Sequence, residues 1–220
     1  MTQRMTLAGC LSLLLAGTAQ ANTLNVSDNS WETIGVPGQA KTQFEVKSDG
    51  SLSVISENSV AFRYKELDTT GDTLTWRWRV DAMGPPSDPM QVGADDRPIA
   101  VHLWFPEQNN QSSLFGGLAE LFGYPEVGNA LTYTWGGSAT HPRTMPNPHL
   151  TEGQGALIVL QTEASATGEW TQETIDFRED FRNAFGKEAP QPSHIAISGD
   201  SDDLGGYREG RIADLRFAND

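Results

Sequence analysis

The chain has 220 residues, a formal net charge of −14 and a single cysteine, Cys10. That charge excludes non-specific binding to nucleic acid or anionic membranes, and one cysteine excludes a disulfide framework. A chain of this length can build one hydrophobic core without covalent staples.

The N-terminus has the form of an export signal. Arg4 gives the positive start, Leu7 to Ala16 an apolar run, and Ala19-Gln20-Ala21 a small-x-small cleavage pattern. Cleavage before Asn22 is expected, with residues 22–220 as one periplasmic or secreted β-sandwich domain. The rival is a lipoprotein box at Leu7-Ala8-Gly9-Cys10. It has the wrong polarity, because the longer apolar run follows Cys10 rather than preceding it. With Cys10 removed, the chain has no thiol chemistry.

Along the rest of the chain, short alternating runs bounded by Gly, Asp, Asn and Pro recur. Gln43 to Val46 and Leu52 to Ser56 flank Ser48-Asp49-Gly50, a hairpin turn, and Val60 to Lys65 adds a strand. Leu74, Trp76, Trp78 and Val80 alternate with Thr75, Arg77 and Arg79, a strand with two unlike faces. After a loop ending in Asp95-Asp96-Arg97, Ile99 to Phe105 is apolar on both faces and reads as an interior strand. Ala130–Trp135, Ala156–Thr162, Thr171–Phe177, Ile195–Ser198 and Arg211–Phe217 complete roughly ten strands. Many strands without alternating helices predict an all-β fold, an antiparallel β-sandwich of jelly-roll type with one or two short helices. The two helical patterns are Ser113 to Phe122 and Arg178 to Phe185, the latter capped by Asp176 and Gly186. The first reads as a capping helix over the sandwich end, with an apolar lid or partner-binding patch as the other reading.

No nucleophile elbow, zinc-protease pair, phosphate loop or dinucleotide turn is present, which leans the reading away from an enzyme. The four histidines, at 102, 141, 149 and 194, lack ligand spacing. Acidic clusters carry the strongest remaining signal: Asp95-Asp96, and Asp200-Ser201-Asp202-Asp203. Clustered carboxylates raise one another's pKa or hold a cation, so Asp200, Asp202 and Asp203 are metal candidates, with Ca²⁺ the ion. The calcium-loop pattern then fails, with Leu204 at its fifth position and Arg211 at its twelfth; exposed turn carboxylates are the plainer reading. Paired-carboxylate hydrolysis needs the two acidic loops at one end of the sandwich, which the sequence does not show.

Six Trp and four Tyr give a softer signal, since sugars stack on exposed aromatic faces. Buried core Trp is the commoner outcome. Candidate ligand contacts are His102 with Trp104, and Arg77 with Arg79; the long Gly136 to Gly155 loop, carrying Met145-Pro-Asn-Pro-His149, is expected to wall that face.

The ordered set ADDRPIAVHLWF (94–105), LTYTW (131–135), MPNPH (145–149), Gly168-x-Trp170, DFREDFRNAFG (176–186) and IAISGDSDD (195–203) resembles the bacterial family called domain of unknown function 3047. The likeness spans roughly Thr73 to Phe217. It departs after Asp202, where Asp203-Leu204-Gly205-Gly206-Tyr207 replaces the family's Asn-Thr-Gly and Tyr-rich strand start. The resemblance implies a signal-bearing sandwich, similar in outline to galactose-binding-like modules, and carries over no established activity. It marks Asp95, Asp96, Trp135, Asp200 and Asp202 as positions to test; Arg97 and Tyr207 join them as candidates. The leading expectation is an exported glycan-binding or envelope-polysaccharide-binding module. A glycoside hydrolase or lyase using the acidic loops, and a structural or partner-binding envelope protein, are the alternatives.

Overall fold

The computed structural model describes residues 22–68, 71–108 and 124–219. The expected helix over 113–122 lies outside them. Thirteen strands run in chain order: β1 (Asn22–Thr23), β2 (Glu32–Gly35), β3 (Gln43–Val46), β4 (Leu52–Glu57), β5 (Val60–Glu66), β6 (Thr73–Ala82), β7 (Ile99–Phe105), β8 (Asn129–Trp135), β9 (Thr144–Pro146), β10 (Gly155–Gln161), β11 (Thr171–Asp176), β12 (His194–Asp200) and β13 (Tyr207–Ala218). One helix, α1 (Phe177–Phe185), follows β11. No helix among the described residues is long and apolar enough to cross a membrane.

The strands form two sheets. The first has the order β11-β6-β13-β4-β3, with β1 pairing to β13; the second has the order β2-β5-β12-β7-β8-β10-β9. Alternation explains the layering. Leu74, Trp76, Trp78 and Val80 of β6 are fully buried and face Leu103, Val101 and Ile99 of β7 and Tyr133 and Trp135 of β8 across the core. Trp76 meets Tyr133 at 5.9 Å between ring centroids, and Trp78 meets Trp135 at 5.6 Å. α1 closes one end, packing Phe181 against Phe105 with the rings tilted and their centroids 4.6 Å apart. Its caps are the two residues expected: the Asp176 side chain accepts from the Glu179 N–H, and Gly186 takes φ 66°.

One pairing departs from the antiparallel expectation. β10 runs parallel to β8, from Gly155 against Ala130 onward. Parallel neighbours need a long crossover. Residues 136–154 supply it, with β9 set antiparallel on the sheet edge. The three strands the sequence pattern does not show, β1, β2 and β9, are two to four residues long, too short to display alternation.

The outer face of the second sheet is also covered. Tyr64, Trp104, Val127, Ala130 and Ala196 form a second apolar cluster there, joined by Ile34, Phe62 and Leu150. This is why β7 is buried on both faces.

Candidate functional site

A pocket of about 470 Å³ opens on that outer face. Register builds its floor. His102 lies opposite Thr132 on β8 and Ala196 on β12, and Trp104 lies opposite Ala130. Val60 and half-buried Phe62 on β5 continue the same surface. Carboxylates gather at one end, because β7 begins where β12 finishes. The backbone N–H of Asp200 bonds to the Arg97 carbonyl at 3.0 Å, fixing the Asp95–Arg97 loop beside the Asp200–Asp203 turn. The two acidic loops, 103 residues apart between Arg97 and Asp200, therefore meet in one pocket.

Two arginines sort these acids into groups. Arg97 gives its backbone N–H to Asp200 Oδ1 at 2.5 Å and its Nε–H to Asp200 Oδ2 at 2.9 Å. Its Nη2 lies 2.8 Å from Asp200 Oδ2 and 3.2 Å from Asp95 Oδ2. Asp96 accepts the N–H groups of Asp203 and Leu204 at 3.2 and 3.0 Å, with Arg208 Nη2 3.6 Å away. Arg208, 1% exposed, is in turn anchored on the carbonyls of Met83 and Pro85. Asp96 and Asp200 thus clamp the turn. Among the described residues no ion pair is made by Asp202 or Asp203, which are half-buried and exposed, respectively, and line the pocket.

Asp95 is the hinge between these groups. Its Oδ2 takes Arg97 and also His149 Nε2, at 2.8 Å, while its Oδ1 is buried without a hydrogen-bond partner among the described residues. Burial pushes the Asp95 carboxyl up, but the bond from His149 and the charges of Arg97 and His149 outweigh it, so it lies below its ordinary value. The same bond raises His149. Burial drives Asp200 up to about 6 against the pull of Arg97. Burial, then the neighbouring carboxylates, raises Asp202 and Asp203.

His149 is the site residue that the pattern of the sequence did not single out. It belongs to the loop between β9 and β10, which ends opposite Ala130 at Gly155 and brings His149 to Asp95. An Asx turn sets its direction: Asn147 Oδ1 accepts the His149 N–H at 3.0 Å. The Met-Pro-Asn-Pro-His run was the available signal.

Other candidates lie elsewhere. Arg77 and Arg79 point away from the core on the first sheet, over the Trp170 ring at 4.6 and 5.5 Å and paired with Asp214 and Asp81. The alternation that buries Trp76 and Trp78 forces them there. Trp135 is fully buried between the sheets, so it packs the core and does not line this pocket. Tyr207 is exposed on β13 and donates to Glu209. Asp200, a metal candidate by sequence, has both oxygens bonded to Arg97. The trio whose oxygens lie within 4.8 Å of one another is Asp96, Asp202 and Asp203.

His102 sits mid-floor, hydrogen-bonded to Thr132 Oγ1 at 3.0 Å and Ser198 Oγ at 2.8 Å. Burial lowers its pKa to about 3. The unfolded chain binds a proton near pH 6.5 that the folded chain refuses. The stability His102 contributes is therefore complete above pH 6.5 and is lost as pH falls towards 3. At roughly 1.4 kcal/mol per pH unit, His102→Asn is expected to lose about 2–3 kcal/mol less than the parent between pH 7 and 4.5. Urea titrations at both pH values check this; equal losses contradict it.

The sequence pattern of the family described as protein of unknown function DUF3047 matches residues 29–216. No curated protein matches the chain. Among solved structures, the chain is similar to the K3 cleaved adhesin domain of Lys-gingipain from Porphyromonas gingivalis W83, at 14% identity, 88% of this chain, 93% of that chain and a TM-score of 0.40. It is also similar to a lectin from Bauhinia forficata in complex with GalNAc, at 12% identity, 91% and 98% coverage and a TM-score of 0.36. A family GH12 endoglucanase 3 from Trichoderma harzianum follows at 10% identity, 92% and 97% coverage and 0.34. None of these likenesses bears on what this chain binds.

Proposed function

The chain belongs to the DUF3047 family, and we propose that its sandwich is an exported binding module that takes a glycan into the pocket on the second sheet. The observation that carries this reading is one pocket with two halves. Phe62, Trp104, Val60 and Ala130 offer an apolar floor, and Asp95, Asp202, Asp203 and His149 offer a polar rim at one end. A sugar needs both, an apolar face for its C–H surface and acceptors for its hydroxyls. A volume of about 470 Å³ falls within the roughly 300–1,000 Å³ of small-ligand sites. Five carboxylates around Arg97, Arg208 and His149 leave the rim acidic, so neutral or amino sugars fit better than uronic acids.

Glycan arrays followed by calorimetry on neutral, amino and uronic polysaccharides test this. Binding of a neutral or amino sugar is expected, weakened at least tenfold by Phe62→Ala with His149→Ala. Silence across the panel contradicts it. Export is part of the reading, and an intact Met1 in the mature protein's mass would remove it.

One observation favours hydrolysis as a second reading. Asp200 is pushed up while Asp95 is held down, the separation that an acid and a base require. Against it, Asp200 is buried with both oxygens on Arg97. Reducing-end release that disappears in Asp200→Asn would favour the enzyme.

A further inference from the structure

We infer that the glycan is bound as a chain of several sugar units, which runs from the pocket into a second cavity on the same outer face of the second sheet. This rests on the glycan reading above and deepens it. The second cavity, of about 720 Å³, is lined by Glu32, Tyr64, Lys65, Glu66, Pro125 and His194, among others.

Register sets the two cavities on one face. Alternate residues of a strand share a face, so His194, Ala196, Ser198 and Asp200 of β12 form one outward row. His194 lines the second cavity and Asp200 the first. The seven residues of β12, at about 3.3 Å per residue, hold these two ends roughly 20 Å apart. That is several sugar rings long and too far for one.

The cavities also touch. Trp104, in the floor of the first, meets two rings of the second: Tyr64 at 5.8 Å and His194 at 6.2 Å between centroids. Phe62 lies 6.1 Å from Trp104 on its other flank, so the rings make one aromatic run from cavity to cavity. A single backbone segment divides them, since Tyr124 lines the first and its neighbour Pro125 the second. This strap is tied at both ends. The Tyr124 hydroxyl donates to the Gly35 carbonyl, and the Gly128 N–H bonds to the Phe105 carbonyl at 2.9 Å.

The two halves match in chemistry. The second cavity carries Glu32, Glu66 and Asp68, while Lys65 is held by Asp28 at 3.2 Å. Burial lowers the pKa of His194, which is neutral at pH 7. Tyr64 donates its hydroxyl to Glu32 at 3.0 Å, setting an aromatic ring beside these acceptors. Both ends are therefore acidic and rich in acceptors, so the preference for neutral or amino sugars holds along the whole length. Two linked subsites raise affinity, because binding one end of a chain concentrates the other.

Calorimetry with size-graded oligomers, from single sugar to hexamer, of the neutral or amino polysaccharide that binds best tests this. Cello-oligosaccharides and glucosamine oligomers are the first series. Affinity is expected to rise at least tenfold from dimer to hexamer. Glu66→Ala with His194→Ala should remove that gain and bring the hexamer to the affinity of the dimer. In the parent, the His194 imidazole signals should shift with the hexamer and stay in place with the single sugar, a readout independent of how the double variant folds. Equal affinity for dimer and hexamer, a hexamer that leaves His194 unmoved, or a gain that survives in the double variant would each overturn the inference. Binding without a gain in length leaves the glycan reading standing, whereas silence of every sugar removes both.

Discussion

Arg97→Met is expected to cost about 3–5 kcal/mol of folding stability, the cost of stranding a buried charge. The reason is the number of groups that depend on one side chain. Asp200 is 6% exposed and Asp95 3%, and both contact the same Nη2. Without the guanidinium, Asp200 keeps only a backbone N–H, and Asp95 keeps only His149. For a chain of this size the loss corresponds to a fall in melting temperature of roughly 10 °C. Arg97→Lys should recover only part, because an ammonium cannot reproduce the planar fork across two carboxylates. Adding Asp200→Asn and Asp95→Asn to Arg97→Met should restore more than half of the loss, since it removes the charges that were stranded. Denaturant unfolding of the parent and the three variants measures this. A cost below about 1 kcal/mol for Arg97→Met would mean that solvent, not the arginine, compensates these acids.

Trp135→Ala is expected to be as damaging, about 3–5 kcal/mol, for a different reason. The indole fills the layer between the sheets against Trp78 and is fully buried. Among the described residues its Nε1–H has no hydrogen-bond partner, so the ring contributes packing alone. Trp135→Phe should therefore cost far less than Trp135→Ala, because it leaves a smaller cavity and removes an unsatisfied donor. Both variants should bind ligand as the parent does once correction is made for the folded fraction. A loss of binding in stable Trp135→Phe would return this residue to the pocket.

The frame of the sandwich was legible because its physics is local. β6 alternates Leu, Trp, Trp and Val with Thr and Arg, and β7 is apolar on both faces apart from His102; each pattern allows one kind of burial. α1 was legible to its caps, since Asp176 and Gly186 do chemistry that only the helix ends need. The acidic turns were visible as charge, and the fold brings them into one pocket. Their division of labour was not visible. Only the three-dimensional positions of Arg97 and Arg208 decide that Asp200 and Asp96 are clamps while Asp202 and Asp203 keep free capacity. His149 could not be assigned, because an irregular loop carries no period and its direction depends on Asn147. Arg77 and Arg79 show the converse. The sequence placed them on the opposite face from Trp76 and Trp78, but it could not say that this face belongs to the sheet without the pocket.

Of the six tryptophans, Trp104 is the one that lines the pocket. The indole N–H signals of the ¹⁵N-labelled protein therefore report directly on where a ligand sits. Titration with the best glycan should shift the Trp104 signal first and leave those of Trp76, Trp135 and Trp170 in place. A titration that moves Trp170, on the outer face of the first sheet, while Trp104 stays fixed would contradict the assignment of this pocket as the binding site.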